Sequence, residues 1–152
     1  MIKSYKIRLY PTKEQEALMW KHIGACRYIW NYMLAYQREQ YANGEKHLSA
    51  FDMIKLLTPL KKDGEHEWLC EVSNASLGVV CRDLDKAYKG FFKKIARFPK
   101  FKSRKRSKKS YPVRADDMYF KNGNAVHVAK VGMVKYKTDF DLPQGKGNKF
   151  TN

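Results

Sequence analysis

The sequence predicts an α+β fold in which a small β-domain is interrupted by a block of helices. Three patterns predict it. Residues 2–10, IKSYKIRLY, alternate between two faces, with Tyr5, Ile7 and Leu9 on one side and Lys6, Arg8 and Tyr10 on the other; this is the mark of a half-buried strand. Between Thr12 and Ile95, apolar side chains recur at three- and four-residue steps, the period of helices with one buried face. Beyond residue 111 the β-formers Val126, Val128, Val131, Met133, Val134 and Tyr136 gather around Gly132, after Asn122-Gly123, the strongest hairpin signal in the chain. The order strand, helices, strands divides the chain into a β-domain at 1–10 plus 97–152, whose strands can close a small barrel, and a helical domain at 11–96 inserted into it.

Each element has its own signal. Pro11 ends the first strand. Thr12 is an N-cap, with Gln15 three residues later as in a capping box. Leu18, Trp20 and Ile23 follow, and Gly24 interrupts. Cys26, Ile29, Trp30, Met33, Leu34 and Tyr41 then keep near-helical spacing up to the stop at Asn43-Gly44. Residues 12–43 therefore read as two helices joined at Gly24. They are either a helix-turn-helix that reads a DNA groove or two antiparallel or bent helices of a bundle. Few outward base-reading side chains exist beyond Asn31, Gln37, Arg38 and Gln40, which favours the bundle. Ser49, with Asp52, caps a short helix whose apolar face is Phe51, Ile54, Leu57 and Leu60. Trp68 and Leu69 form an anchoring pair on a brief helix. Ser73 or Asn74 caps the strongest helix, with Leu77, Val80, Cys81, Leu84, Tyr88, Phe91, Phe92 and Ile95 along one stripe. Tyr111–Val113 and Met118–Phe120 are short extended candidates. The tail, LPQGKGNKFTN, has a Gly-rich turn, and Phe150-Thr151 reads as the start of a further strand, as if the chain were cut.

Composition narrows the function. The chain has 152 residues, 43% of them apolar, enough for a packed core. Its formal charge of +16 favours a polyanion, nucleic acid before an anionic membrane. No apolar run approaches the roughly 18 residues of a membrane span. The opening MIKSYKIRLYPT lacks a signal-peptide core, so a cytoplasmic chain is expected, nucleoid-associated if prokaryotic. Cys26, Cys70 and Cys81 lack paired spacing and read as reduced thiols, not a zinc site. His22, His47, His66 and His127 are dispersed. No metal site and no nucleophile–base constellation is expected. Asp83 and Asp85 are explained by surface pairs with Lys86 and Lys89.

The candidate site is the run Phe98–Arg114, FPKFKSRKRSKKSYPVR. Lys100, Lys102, Arg104, Lys105, Arg106, Lys108, Lys109 and Arg114 can neutralise phosphates and release condensed counterions. A solvated loop or a targeting patch would carry the same charges, but Pro99, Pro112 and the interleaved aromatics predict a path pinned to a folded body. Phe98 and Phe101 are assigned to anchoring before base stacking. Lys6 and Arg8 add a basic strand face, and Lys86 and Lys89 lead into the run. Ser73, Asn74 and Ser76 present small polar groups beside free backbone N–H groups, where a phosphate or base edge can sit. A membrane role ranks last, since the cations do not lie on an amphipathic helix.

Seven segments carry a family resemblance: Lys6–Met19 (KIRLYPTKEQEALM), Gly24–Tyr36 (GACRYIWNYMLAY), Leu56–Lys62 (LLTPLKK), Trp68–Val72 (WLCEV), Arg82–Lys94 (RDLDKAYKGFFKK), Phe98–Arg106 (FPKFKSRKR) and Val131–Tyr136 (VGMVKY). In order and spacing the set resembles the amino-terminal half of the TnpB family, the OrfB-type transposase proteins of insertion sequences, which are RNA-guided nucleases. The resemblance implies a β-barrel wedge domain interrupted by a helical recognition domain, whose first helices are described as a helix-turn-helix. It implies guide RNA and target-adjacent duplex DNA as partners, the protein reading a short motif and base pairing reading the rest. By that resemblance Asn74, Gly78, Asp116 and Asp117 face DNA, although Gly78 stands where a glutamine is expected and Ala50 where an aromatic is common. The family's Mg²⁺-holding carboxylates and zinc ribbon fall beyond residue 152, so no cofactor is expected in this chain. Three functions follow. The first is a truncated TnpB-like protein that binds nucleic acid without cutting. The second is the front part of a split or prematurely ended RNA-guided endonuclease, partnered by the missing nuclease half. The third is a non-catalytic DNA-binding regulator, which footprinting without RNA would distinguish.

Overall fold

The computed structural model describes residues 3–121 and 124–141. Three α-helices, two short 3-10 helices and four strands follow in the order β1 (Arg8–Tyr10), α1 (Lys13–Ala42), α2 (Ala50–Lys61), a 3-10 turn (Glu67–Glu71), α3 (Asn74–Phe92), a second 3-10 turn (Ala115–Asp117), β2 (Met118–Lys121), β3 (Ala125–Val128) and β4 (Gly132–Lys137). The α+β class holds.

The expected caps form. Thr12 and Gln15 exchange side-chain and backbone hydrogen bonds in a capping box, as do Ser49 and Asp52. Ser73 caps α3 by accepting from the Ser76 N–H. These contacts satisfy amide groups that the first turn of a helix leaves without partners.

The joint at Gly24 does not form. Residues 13–42 make one continuous helix of 30 residues. A glycine inside a helix costs only about 1 kcal/mol relative to alanine. The buried positions His22, Ala25, Cys26, Ile29, Trp30, Met33, Leu34 and Gln37 run straight through it, so packing on both sides of Gly24 outweighs the penalty.

α1 and α2 both pack on α3. Their shared core includes Ile29, Met33 and Leu34 of α1, Met53 and Leu57 of α2, and Leu77 and Leu84 of α3. The apolar stripe of α3 is shorter than its sequence period suggests. The helix stops at Phe92, where Lys94 turns left-handed (φ 58°) and the N–H groups of Ile95 and Ala96 both donate to the Gly90 carbonyl. Phe91, Phe92 and Ile95 are exposed. Of the expected anchoring pair, Leu69 is buried, whereas Trp68 is exposed and meets the Tyr28 ring edge-on.

The strands form one antiparallel sheet in the order β1-β4-β3-β2. Leu9 pairs with Tyr136, Val126 with Val134 and Phe120 with Val126. Val126, Val128, Val131, Val134 and Tyr136 make a second core, covered by Ile7 and by Leu18 and Met19 from the first turns of α1. Gln15 of α1 donates from its side chain to the Met133 carbonyl at 2.6 Å. Among the described residues the sheet is open, with β1 and β2 at its edges. The first strand is shorter than expected, and Tyr5 and Leu9 are exposed, because an edge strand of three residues covers little. Tyr111–Val113 form no strand. The Asn122-Gly123 turn, residue 2 and the tail from residue 142 lie outside the described residues.

Candidate nucleic-acid interface

Residues 97–114 form no helix or strand, so their path is set by what they touch. The Trp30 indole N–H donates to the Lys100 carbonyl at 2.9 Å. Asn31 makes two bonds to the backbone of Lys102: its amide donates to the carbonyl at 2.8 Å, and its side-chain oxygen accepts from the N–H at 2.8 Å. That is the pair of bonds a neighbouring strand would offer. The Arg38 guanidinium lies 5.1 Å from the Phe98 ring centre and 4.8 Å from that of Phe101. Phe98 also meets Tyr88 and Phe91 edge-on at 5.5 and 5.1 Å. At the other end Tyr111 stacks on His22 at 4.9 Å.

The contacts have an order. The start of the run, Phe98–Lys102, meets Arg38, Asn31 and Trp30 in the later part of α1, and its end, Lys109 and Tyr111, meets Trp20 and His22 nearer the helix start. The ribbon therefore lies antiparallel along α1, over roughly 27 Å at about 1.5 Å rise per residue. Two of its ammonium groups sit over indole rings, Lys102 at 4.0 Å from Trp30 and Lys109 at 5.9 Å from Trp20. Lys100, Arg104, Lys105, Arg106 and Lys108 are exposed and make no ion pair with a carboxylate among the described residues. A turn tied by Ser103, whose hydroxyl accepts from the Arg106 N–H at 3.1 Å, bends the middle of the ribbon. It encloses a concavity of about 580 Å³ lined by Lys100, Lys102, Arg106 and Lys108. A second cleft of about 390 Å³ lies against α1 and α3, between Arg27, Asp83, Lys108 and Tyr111.

The other candidates fall into separate surroundings. Lys6 and Arg8 are exposed at the sheet edge, with Arg8 5.5 Å from the Tyr10 ring. Lys86 is exposed on α3, whereas Lys89 is held by Asp85 at 2.8 Å. Asp85 is buried and also faces His47 at 3.4 Å, so this is not the surface pair the spacing suggested. At the start of α3 only Asn74 is exposed, and its side-chain oxygen accepts from the Lys61 ammonium at 2.6 Å. Ser73, Ser76 and Gly78 are buried. A Cβ on Gly78 would lie 3.8 Å from the Ile54 side chain, so this position faces α2. Arg114 pairs with Asp116 at 2.5 Å. Asp117 accepts from the Ser73 hydroxyl at 3.0 Å, which places a carboxylate at the positive end of α3. Both aspartates thus have partners within the protein.

His22 joins these parts. Its Nδ1 lies 2.8 Å from the Leu18 carbonyl, and its Nε2 accepts from the Ser73 N–H at 3.1 Å. Only the neutral ring with its proton on Nδ1 satisfies both. Burial lowers its pKa, and the Lys130 charge adds to the effect. Burial pushes the thiols of Cys26 and Cys81 up to about 12, as befits inert core cysteines. Among the described residues no group of three or more His, Cys, Asp or Glu side chains is placed to hold a metal ion.

Sequence reasoning named the ribbon but not its mount. Asn31 and Arg38 read only as outward polar side chains of a helix, and Trp30 as core. Their partners lie some sixty to seventy residues away, and nothing local announces such pairing.

Residues 1–46 match the family model of the OrfB-type helix-turn-helix domain. The chain is 32% identical over 139 residues, 90% of its length, to the "Putative RNA-guided DNA endonuclease InsQ" of Escherichia coli (strain K12). The chain is thus similar to the amino-terminal part of TnpB/OrfB-type proteins. A second relative, the "Putative RNA-guided DNA endonuclease" of Streptomyces pristinaespiralis, is 29% identical over 143 residues, or 94% of the chain. The chain spans about a third of the length of these relatives, 34% and 36% respectively. The residues matched to the OrfB-type model, 1–46, include β1, the unbroken α1 and the turn after it. One side of that helix is the ribbon's mount.

Proposed function

We propose that this chain is a nucleic-acid-binding module of a TnpB-like protein, holding structured guide RNA and target-adjacent duplex DNA without cleaving either by itself. The observation that carries this reading is the mounting of the ribbon. Free cations on a tail would give weak, shapeless attraction. Here the backbone is fastened at Lys100 and Lys102, while the exposed cations between Lys100 and Lys108 stay available. Phosphate neutralisation then acts from a fixed frame. On this reading the four-stranded sheet is part of the wedge barrel, the helices are the recognition block, and any Mg²⁺ or Zn²⁺ belongs to sequence outside this chain. The setting would be the cytoplasm, at the nucleoid in a prokaryote.

The test is a salt titration of binding to a hairpin RNA and to duplex DNA. If about six phosphates are neutralised, affinity falls roughly 10³-fold between ~50 and ~200 mM salt. Replacing Lys105 and Arg106 with Ala should flatten the slope. An affinity indifferent to salt would overturn the proposal. The relatives' names and their threefold greater length favour a second reading, the front part of an RNA-guided endonuclease. In that case, adding guide RNA, Mg²⁺ and the downstream portion of a relative restores cleavage.

A further inference from the structure

Beside the start of the ribbon lies a mainly aromatic cleft of about 400 Å³, lined by Tyr41, His47, Tyr88, Phe91, Phe92 and Phe98 together with the polar side chains of Gln37, Arg38 and Glu45. Its size is that of a small-ligand site. Tyr41 is 85% exposed and Phe92 57% exposed, so large rings face water where the α3 stripe was expected to be covered. The rings are already set against one another: His47 meets Phe92 edge-on at 5.4 Å, and Tyr88 lies 6.1 Å from Phe92. Tyr88 itself is 4% exposed, and its hydroxyl has no hydrogen-bond partner among the described residues. A buried hydroxyl without a partner is costly, and here it belongs to a residue lining the cleft.

We propose that this cleft holds an unpaired nucleobase of the polynucleotide that lies on the ribbon; the inference deepens the function proposed above and rests on it. Aromatic faces take any base by stacking, whatever its hydrogen-bonding edge. The phosphates have somewhere to go. Phe98 is both a wall of the cleft and the first residue of the ribbon, so the strand leaving the cleft passes directly over Lys100 and the exposed cations that follow. An apolar peptide would fill the rings but would leave those neighbouring cations without counter-charge, which favours a nucleotide. Duplex nucleic acid, with its bases stacked inside, can use the ribbon and not the cleft.

The test uses the full chain with three probes: oligo-uridine RNA, oligo-thymidine DNA and a blunt-ended DNA duplex. Replacing Phe92 and Tyr41 together with Ala should weaken the single-stranded probes about 5- to 150-fold and leave the duplex unchanged. Phe92→Trp should restore the single-strand affinity. A 2-aminopurine base in the single strand should lose emission on binding to the original chain, and not on binding to the double variant. Preference between the two single-stranded probes tells RNA from DNA as the source of the base. Equal losses for single-stranded and duplex probes, or unchanged 2-aminopurine emission, overturn the cleft proposal. If the cleft variants bind normally while ribbon variants weaken every probe, the cleft fails and the phosphate-binding ribbon stands. If the original chain binds no probe at low salt, both fail.

Discussion

Asn31 does the work of a strand with one side chain. Its two bonds to Lys102 fasten an irregular segment to a helix, and each such bond is worth about 1 kcal/mol. Asn31→Ala should therefore loosen the ribbon while leaving the helical core intact. Trypsin should cut at Arg104–Arg106 several-fold faster, with little change in the melting temperature. His22 carries a different expectation. Its pKa is lowered in the folded chain, chiefly by burial. The unfolded chain therefore binds more protons than the folded one just below the ordinary histidine value near 6.5, and stability must rise with pH there. The stabilising contribution is complete above about 6.5 and drains away as pH falls. A urea-unfolding series from pH 7 to 5 should show that loss, and His22→Gln, which does not titrate, should show a shallower one. Protonation would also turn Nε2 into a donor facing the Ser73 N–H donor.

At the scale of elements, the caps were legible because they are local chemistry. Thr12 with Gln15, Ser49 with Asp52, and Ser73 each announce a helix start within four residues. Gly24 misled for the same reason. Its local preference says interruption, while the decisive contribution is burial against α3 and the sheet, which no short window contains. The two readings make opposite predictions for Gly24→Ala. In a turn, alanine would be strained. In a continuous helix it adds helix propensity, and the new Cβ would lie only 3.9 Å from the Arg27 guanidinium, an ordinary contact. We expect Gly24→Ala to raise stability by about 1 kcal/mol, read as a higher melting temperature. The apolar period of α3 also outran its buried face. Periodicity records which positions share a side, and Phe91 and Phe92 share it with only partial cover from Phe98 and His47. The ribbon's charge was plain in the sequence, but its fastening was not, since Trp30, Asn31 and Arg38 meet it only after the chain has built α2 and α3.

Across the whole molecule, two cores share one helix. The first turns of α1 cover the sheet, and the rest of it packs in the helical block. A formal charge of +16 surrounds both. That excess repels itself, and salt screens it within about 10 Å at 0.1 M. The free chain should therefore melt at a higher temperature as salt rises from ~10 to ~200 mM, while its affinity for nucleic acid falls over the same range. Parallel scanning calorimetry and binding titrations would check the pair. Opposite signs for the two trends distinguish a protein built around an absent polyanion from one whose charges are already balanced internally.

α1 is also a ruler. Thirty residues at about 1.5 Å each make a rod of roughly 45 Å. Its ribbon-bearing stretch of roughly 27 Å corresponds to about eight base-pair steps measured along a B-form duplex axis, at roughly 3.4 Å per phosphate of each strand. The distance from the sheet to the far end of the ribbon is thus written in helical turns. Adding or deleting one turn would shift the registration between protein and backbone phosphates by some 5 Å without altering a single charge.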